Sequence, residues 1–295
     1  MTGSDKLITL LNQHLPSWKD FIQLARLDRP IGIYLLLWPT LWALWLAADG
    51  IPGIHNLLVF ISGGVLIRSA GCVINDYADR HFDGHVTRTR NRPMITGKVT
   101  PNEALLYAAV LFLLAFLLVL TTNSLTVGLS FGGVLLACTY PFAKRHTYLP
   151  QVVLGAAFGW AIPMAYAAET AALTTQTWLL FTANLLWVVA YDTQYAMVDR
   201  EDDLKIGIKS TAILFGEMDN GIIATFQAMM LSAMVMLGMQ LELAWPYYLS
   251  LLLAAGGFVF QHKLTSDRDR DHCFKAFLSN HWVGLVIFLG VVFSV

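Results

Sequence analysis

Two stretches rich in carboxylates hold the side chains best suited to chemistry. The first runs Asn75-Asp76-Tyr77-Ala78-Asp79-Arg80-His81-Phe82-Asp83, and the second runs from Asp192 to Asp203. Laid over one another, Asp79 meets Asp199, Arg80 meets Arg200 and Asp83 meets Asp203, so a DR–x–x–D unit occurs twice, each time closing an apolar run. Ionisable groups at the mouth of a membrane helix are costly and mark function. At about 100° per residue, a helix through the first stretch places Arg68, Asn75 and Asp79 within roughly 20° of one line, with Asp83 about 60° round. The same projection aligns Asp192, Asp199 and Asp203, with Tyr195 close by. Carboxylates at i and i+4 stand one turn apart and offer only oxygen. That donor set suits Mg²⁺, which keeps waters and binds through one or two carboxylates plus substrate phosphate. Two facing ladders could hold two Mg²⁺ ions with a diphosphate bridging them. A solvated cap would account for one such ladder; its repetition argues for a metal site, with Asn75, Asp76, Asp79, Asp83, Asp199 and Asp203 as ligands.

A diphosphate among carboxylates needs cations beyond the metal. Arg88, Arg92, Lys144, Arg145 and Lys209 are the candidates, although loop Lys and Arg also serve as topology signals. Lys144 and Arg145 directly follow Tyr140-Pro141-Phe142 at the end of an apolar run. Arg68 lies inside a span, where insertion costs about 2.5–3.5 kcal/mol. It either pairs internally with Asp76 or Asp192 or anchors an anionic group of a substrate. Trp38, Trp42, Trp45, Trp160 and Trp187 also lie within spans, as core residues or as the wall of a tunnel.

The elements that must position these groups follow from composition. The chain has 295 residues, 56% of them hydrophobic and 13% charged, with mean hydropathy +0.58. Soluble domains carry about a quarter charged residues. Apolar runs near 20 residues long make this an all-α, polytopic membrane protein. Cys72, Cys138 and Cys273 form no CxxC, and the eight histidines form no HExxH, so neither a disulfide framework nor a zinc site is indicated. Nine transmembrane helices are expected, over 31–48, 57–77, 104–121, 124–140, 150–168, 178–196, 221–240, 246–262 and 277–294. With this division every one of the 19 Lys and Arg except Arg68 falls on one side, which the positive-inside rule makes cytoplasmic. The N-terminus is then cytoplasmic and the C-terminus periplasmic. Both carboxylate stretches follow an inward-running span, giving a parallel four-helix pseudo-repeat. Residues 1–30 read as an amphipathic interfacial segment, helical over 5–26 with a break at Pro16, and 31–295 as a single transmembrane domain. Loops 84–103 and 204–220 read as cytoplasmic caps, with Thr100-Pro101-Asn102-Glu103 as a capping box.

NDYADRHFD and YAMVDREDD are similar to the two Asp-rich signatures of the UbiA family of membrane prenyltransferases. The longer runs RPIGIYLLLWPTLWALW, SAGCVINDYADRHFDGHV, YPFAKRHTYLPQVVLGAAFGWAIPMA and YDTQYAMVDREDDLKIGIKSTAILFG resemble the 4-hydroxybenzoate branch of that family, which serves bacterial ubiquinone biosynthesis. The likeness covers roughly residues 20 to 295. It implies a nine-helix bundle around a central cavity in the bacterial inner membrane, with a cytoplasmic cap and dependence on Mg²⁺. It also implies polyprenyl diphosphate and 4-hydroxybenzoate as substrates, with Asp79, Asp83, Asp199 and Asp203 as the catalytic carboxylates. For the benzoate carboxylate the cationic candidates are Arg68, Arg26 and Arg29, with Tyr195 and Asp192 beside the aromatic ring. No nucleic acid and no obligatory protein partner are expected. Other acceptors (homogentisate, dihydroxynaphthoate, chlorophyllide or haem) are the nearest alternatives. A cation-coupled transporter is the non-enzymatic one. Against transport, the ladders sit at the cytoplasmic end and the outer half is almost free of ionisable residues.

Overall fold

Backbone N–H and C=O groups cannot be left bare in lipid, so the long apolar runs must close their hydrogen bonds within helices. A computed structural model describes residues 17–81, 83–85 and 89–295, and all regular structure among them is helical. The helices are α1 (Trp18–Leu24), α2 (Ile31–Ala48), α3 (Ile54–Asp79), α4 (Pro101–Val119), α5 (Ser124–His146), α6 (Pro150–Gly159), α7 (Ala161–Thr170), α8 (Thr175–Ile206), α9 (Thr211–Phe215), α10 (Asp219–Gln240), α11 (Trp245–Thr265) and α12 (Arg270–Val292). Among the described residues, seven helical segments are long and apolar enough to cross a membrane. Those containing α8 and α11 have the length but a less apolar composition.

Each expected span lands on helix, with departures that have local causes. The fifth is broken at Trp160 into α6 and α7. Pro163 has no N–H for the Gly159 carbonyl four residues back, so the ladder is interrupted there. The sixth does not stop at 196 but runs to Ile206, so the whole second carboxylate stretch is helical. Gly207 ends it in the left-handed conformation (φ 73°), returning its N–H to the Asp203 carbonyl. The ninth starts earlier than expected, at Arg270, because the Asp269 side chain caps the N–H groups of Asp271 and His272. α3 stops at Asp79. Arg80 turns back to donate to the Tyr77 carbonyl (2.7 Å) and covers the Tyr77 ring. Asp83 is therefore carried by a 3-10 turn (Asp83–His85), not by the helical ladder expected for it.

α8 lies at the centre of the bundle, against α10, α6 and α12, and α2 packs on α12, α7 and α3. Trp42 and Trp187 stack at 5.3 Å between centroids and are fully buried. Their indole N–H groups are satisfied by the Gly284 carbonyl (3.1 Å) and Asn280 Oδ1 (2.9 Å). They are core residues, Trp38 and Trp45 pack on Phe288 of α12, and Trp160 lines a cavity. Expected positions 5–16 of the N-terminal segment lie outside the described residues. The described part, α1, sends Leu24 into a cluster with Val73, Val99, Ala104 and Ala108, and sets Phe21 edge-on to Tyr107 at 5.1 Å. α1 thus lies against α3 and α4. The capping box at Thr100–Glu103 forms as expected.

Candidate active site

The first carboxylate stretch ends α3, and its three acids have different surroundings. Asp76 is 2% exposed, and Arg26 Nη2 reaches both its oxygens, at 2.9 and 2.8 Å. Arg92 Nη1 adds a third contact at 2.9 Å and also pairs with Asp83. A carboxylate with both oxygens held by guanidinium groups is neutralised within the protein. Asp76, expected as a metal ligand, is held in this structure by Arg26 and Arg92. Arg26, expected near the benzoate, and Arg92, expected near the diphosphate, both contact carboxylates at this end of α3. Asp79, one turn on, is as buried. Its Oδ2 is paired with Lys144 Nζ, and its Oδ1 is buried without a partner. Asp83 is held by Arg92, while Thr89 Oγ1 donates to its carbonyl at 2.7 Å. Burial pushes the Asp83 carboxyl up; Arg92 pulls it down, and Asp79 and Asp76 add to the upward push.

The other expected cations divide. Arg145 Nη2 donates to the Ala78 carbonyl at the end of α3 and lies over the Phe142 ring at 5.4 Å. Lys144 and Arg145 thus both contact the Asp79 end of α3. Lys209 is not: its ammonium group sits 3.4 Å from the His146 carbonyl and over the Tyr148 ring. Its own backbone N–H donates to the Lys144 carbonyl (3.2 Å), fastening the second cap loop to the end of α5. Arg29 is on the surface beside Asp28 and is not brought to the site. Arg88 lies outside the described residues.

The second stretch is presented by α8, with Asp192, Tyr195, Asp199 and Asp203 half-buried. The basic residue of its repeat unit does not face the site. Arg200 pairs with Asp219, which is fully buried and also holds Arg268. Arg270 bridges Glu201 (2.7 Å) and Asp202 (3.3 Å). These contacts clamp the C-terminal end of α8 to α10 and α12, and neither Asp219 nor Arg268 was marked by the sequence pattern. Further along α8, Gln194 Oε1 accepts from Asn280 (3.1 Å) and its amide donates to Gln261 (3.1 Å), fixing the rotation of the helix.

Arg68 lies between the two stretches, half-way down α3. It pairs with neither Asp76 nor Asp192: its Nη1 meets Cys72 Sγ, its Nε is buried without a partner, and its guanidinium covers the Phe158 ring at 5.4 Å. Side chains on a helix ordinarily lean toward its N-terminus. Arg68 instead bends to Cys72, one turn nearer Asp79. Gly32 of α2 makes room: a Cβ there would stand 2.5 Å from Arg68 Nε. Tyr140, Tyr191 and Tyr195 lie within electrostatic reach of the guanidinium, and Asp192 within reach of Tyr140 and Tyr191. Gly32, Tyr140, Phe158 and Tyr191 are the site residues that spacing arguments missed; the Gly32 signal is a small residue directly after Pro30 and Ile31 at a helix start.

Among the described residues no three Asp, Glu, His or Cys side chains converge on one point as a preformed cage. The orphaned Asp79 Oδ1, with Asp83 beside it, fits a metal held only in part by protein and completed by substrate phosphate.

The sequence profile described as the UbiA prenyltransferase family matches residues 36–285. The chain is 58% identical over 286 residues to the 4-hydroxybenzoate octaprenyltransferase of Pseudomonas syringae pv. syringae, covering 97% of each protein. It is 60% identical over 279 residues to that of Ectopseudomonas mendocina, covering 95% of this chain and 94% of the relative. Among solved structures, a UbiA homologue from Aeropyrum pernix in the apo state superposes with TM-score 0.78 at 24% identity, covering 89% of this chain and 97% of the other. A UbiA homologue from Archaeoglobus fulgidus bound to GPP and Mg²⁺ superposes with TM-score 0.70 at 16% identity, covering 92% and 99%. At these identities the two structures bear on the fold.

Proposed function

The chain belongs to the UbiA prenyltransferase family, and on that footing we propose that it transfers a polyprenyl group from polyprenyl diphosphate to the ring carbon ortho to the hydroxyl (C3) of 4-hydroxybenzoate, releasing diphosphate, in ubiquinone biosynthesis. The relatives near 60% identity over almost the full chain bear the name of this activity. The observation that carries the reading is the pairing, along one face of α3, of an unpartnered oxygen at Asp79 with an unpartnered guanidinium nitrogen at Arg68. They are 11 residues apart, about 16 Å along the axis at a rise of ~1.5 Å per residue. That separation gives an anionic leaving group one end and an aromatic carboxylate the other.

In this mechanism Asp79, Asp83, Asp199 and Asp203 would hold Mg²⁺, with Asn75 as an additional oxygen donor. When bound, the metal supplies positive charge to the diphosphate as the allylic C–O bond breaks. Lys144 and Arg145 complement that charge from the end of α5. Arg68 holds the benzoate carboxylate, and the rings of Phe158, Tyr140, Tyr191 and Tyr195 face the developing allylic cation. The electron-rich carbon beside the phenol attacks it, a C–C bond forms, and the ring loses a proton. The bundle keeps out water, which would otherwise capture the cation. Arg92 holds the loop 84–103 against Asp76 and Asp83, and Lys209 holds 204–220 against α5, so both loops act as caps. We further assign the protein to the bacterial inner membrane, with all nine spans crossing, a parallel four-helix pseudo-repeat, the N-terminus cytoplasmic and residues 1–30 interfacial.

The test is direct. Membranes holding the protein, given labelled 4-hydroxybenzoate, a series of polyprenyl diphosphates and Mg²⁺, should form a C-prenylated product. Product with homogentisate or dihydroxynaphthoate, but none with 4-hydroxybenzoate, would overturn the assignment of the acceptor.

A further inference from the structure

Two buried polar atoms near the middle of the bundle have no protein partner: Arg68 Nε and the Tyr191 hydroxyl. The two side chains lie within electrostatic reach of one another. Buried donors and acceptors are costly to leave alone, so a pair of them side by side calls for a polar ligand. On the prenyl-transfer reading that ligand is the aromatic acid. The height at which the guanidinium is held along α3 then decides which acid fits.

Three neighbours border the guanidinium. Gly32 of α2 only makes room, by lacking a Cβ that would stand 2.5 Å from Nε and Nη2. The Phe158 ring of α6 offers its face at 5.4 Å, which attracts a cation without fixing its position along α3. Cys72 does fix it. Among the described residues its Sγ is the one hydrogen-bond acceptor that Arg68 has, through Nη1. Cys72 is itself buried and stands one turn nearer Asp79 on the same face of α3, so the contact draws Arg68 toward the carboxylate end, against the usual lean of a helical side chain.

In the opposite direction nothing would receive the charge. Gly64 and Ile67, with Leu36 and Ala157, line an apolar cavity of ≈ 130 Å³. Its polar side chains are already committed: Thr40 donates to the Leu36 carbonyl (2.8 Å), Ser130 to Val127 (2.7 Å) and Trp160 Nε1 to Leu129 (2.7 Å). Without Cys72, Arg68 has no acceptor to hold it up and none to draw it down. Its guanidinium can then fall back toward the level of its own Cα, a retreat of up to about 6 Å for one turn of rise.

We propose that Cys72 is a positioning residue that sets the height of the Arg68 guanidinium, and so selects an acceptor whose carboxylate is attached directly to the ring. The inference rests on the prenyl-transfer reading with Arg68 as the carboxylate anchor, and adds what fixes the length of the acceptor. An acid with a methylene between ring and carboxylate is longer by one C–C bond, about 1.5 Å, and meets an anchor held this high too soon. A lowered anchor would favour it.

The experiment compares wild type, Cys72→Ala and Cys72→Ser, with 4-hydroxybenzoate and 4-hydroxyphenylacetate as acceptors, at saturating Mg²⁺ and polyprenyl diphosphate. Cys72→Ala should raise the KM for 4-hydroxybenzoate by about tenfold or more, as expected for a binding group moved by an ångström or so. Its kcat/KM for 4-hydroxyphenylacetate relative to 4-hydroxybenzoate should rise by about tenfold, the scale on which one methylene is discriminated. Cys72→Ser keeps an acceptor and should restore the wild-type preference to within about threefold. A role confined to packing would lower the thermal midpoint, or kcat for both acids alike, and leave the preference unchanged. That result, or a Ser variant that behaves like the Ala variant, would overturn the proposal. Should Cys72→Ala fail to accumulate, Cys72→Val, close to Cys in size and also without an acceptor, takes its place. Equilibrium binding of labelled 4-hydroxybenzoate without donor separates the two readings. Affinity lost in Cys72→Ala and recovered in Cys72→Ser, with no prenylated product from wild type, would sink the function and leave the positioning role standing. Normal transfer by wild type, with the same affinity in Cys72→Ala, would do the reverse.

Discussion

Gly32→Ala is the sharpest test of the acceptor end, because it moves one group by a distance the structure gives. The Cβ it adds would stand 2.5 Å from both Arg68 Nε and Nη2 and 2.9 Å from Cζ. Ordinary contact needs about 3.5 Å, so the guanidinium must retreat by about 1 Å. The helix itself does not suffer: Gly to Ala favours a helix by up to about 1 kcal/mol. The loss is therefore confined to whatever Arg68 holds. A charge-assisted hydrogen bond is worth about 1.5–3 kcal/mol, so misplacing it should raise the KM for 4-hydroxybenzoate by roughly 10- to 100-fold. The KM for the diphosphate should stay within about twofold, since the Arg68 guanidinium, bent to Cys72, still lies about 10 Å of helix rise short of Asp79. The assay is a two-substrate matrix of initial rates at saturating Mg²⁺, with the thermal midpoint in detergent measured on the same preparations. Gly256→Ala, where the added Cβ meets nothing within 4 Å, is the control. An unchanged 4-hydroxybenzoate KM would refute Arg68 as the carboxylate anchor, and a shift confined to the diphosphate KM would move Arg68 to the leaving group.

Asp79→Ala, Asp83→Ala, Asp199→Ala and Asp203→Ala should each lower kcat by at least about a hundredfold while the protein still accumulates in membranes; near-normal turnover in any two would remove the metal assignment. Arg145→Ala should raise the diphosphate KM or lower kcat with little change for 4-hydroxybenzoate. Arg145→Lys should recover only part of the loss, because the planar fork is missing. Asp219→Asn leaves Arg200 and Arg268 facing one another. With those arginines 20% and 37% exposed, the cost should lie near the low end of the about 3–5 kcal/mol for a broken buried pair, seen as a lowered thermal midpoint; an unchanged midpoint would mean the clamp is not structural. A reporter fused after Val295 should read periplasmic and one inserted in 84–103 cytoplasmic, and agreement between the two would break the nine-span topology.

The helices were legible because the bilayer imposes a length and a composition on them, and the first expected span, 31–48, coincides with α2. Local chemistry was legible where it acts within a few residues, as in the capping box at Thr100–Glu103. Partnerships across the bundle were not. Arg26 finds Asp76 from 50 positions away, and Arg268 finds Asp219 from 49. Nothing in spacing distinguishes a loop arginine that serves topology from one that neutralises a buried acid. Helical projection also failed just past a helix end. It put Asp83 about 60° round a ladder that stops at Asp79, because Arg80 takes up the Tyr77 carbonyl and the chain turns.

The repeat in the sequence is therefore a repeat of acids and not of roles. Asp79 and Asp199, with Asp83 and Asp203, occupy equivalent places in the sequence, but the arginines between them do not act alike. Arg80 ends a helix, whereas Arg200 braces a helix that continues. The place of Asp76 is taken by Ala196 in the second stretch. That difference has a physical reason in the structure. α3 ends at its carboxylates, so something must hold the chain that follows and the segment that precedes the bundle. Asp76 does both, with Arg92 from the first cap and Arg26 from beside α1. α8 runs on for three further residues past Asp203, and its bracing is done from outside the repeat, by Asp219, Arg268 and Arg270. The first stretch thus spends an extra carboxylate on scaffold that the second obtains from its neighbours. On the prenyl-transfer reading, the acids we propose for the chemistry are the pairs that the two stretches share.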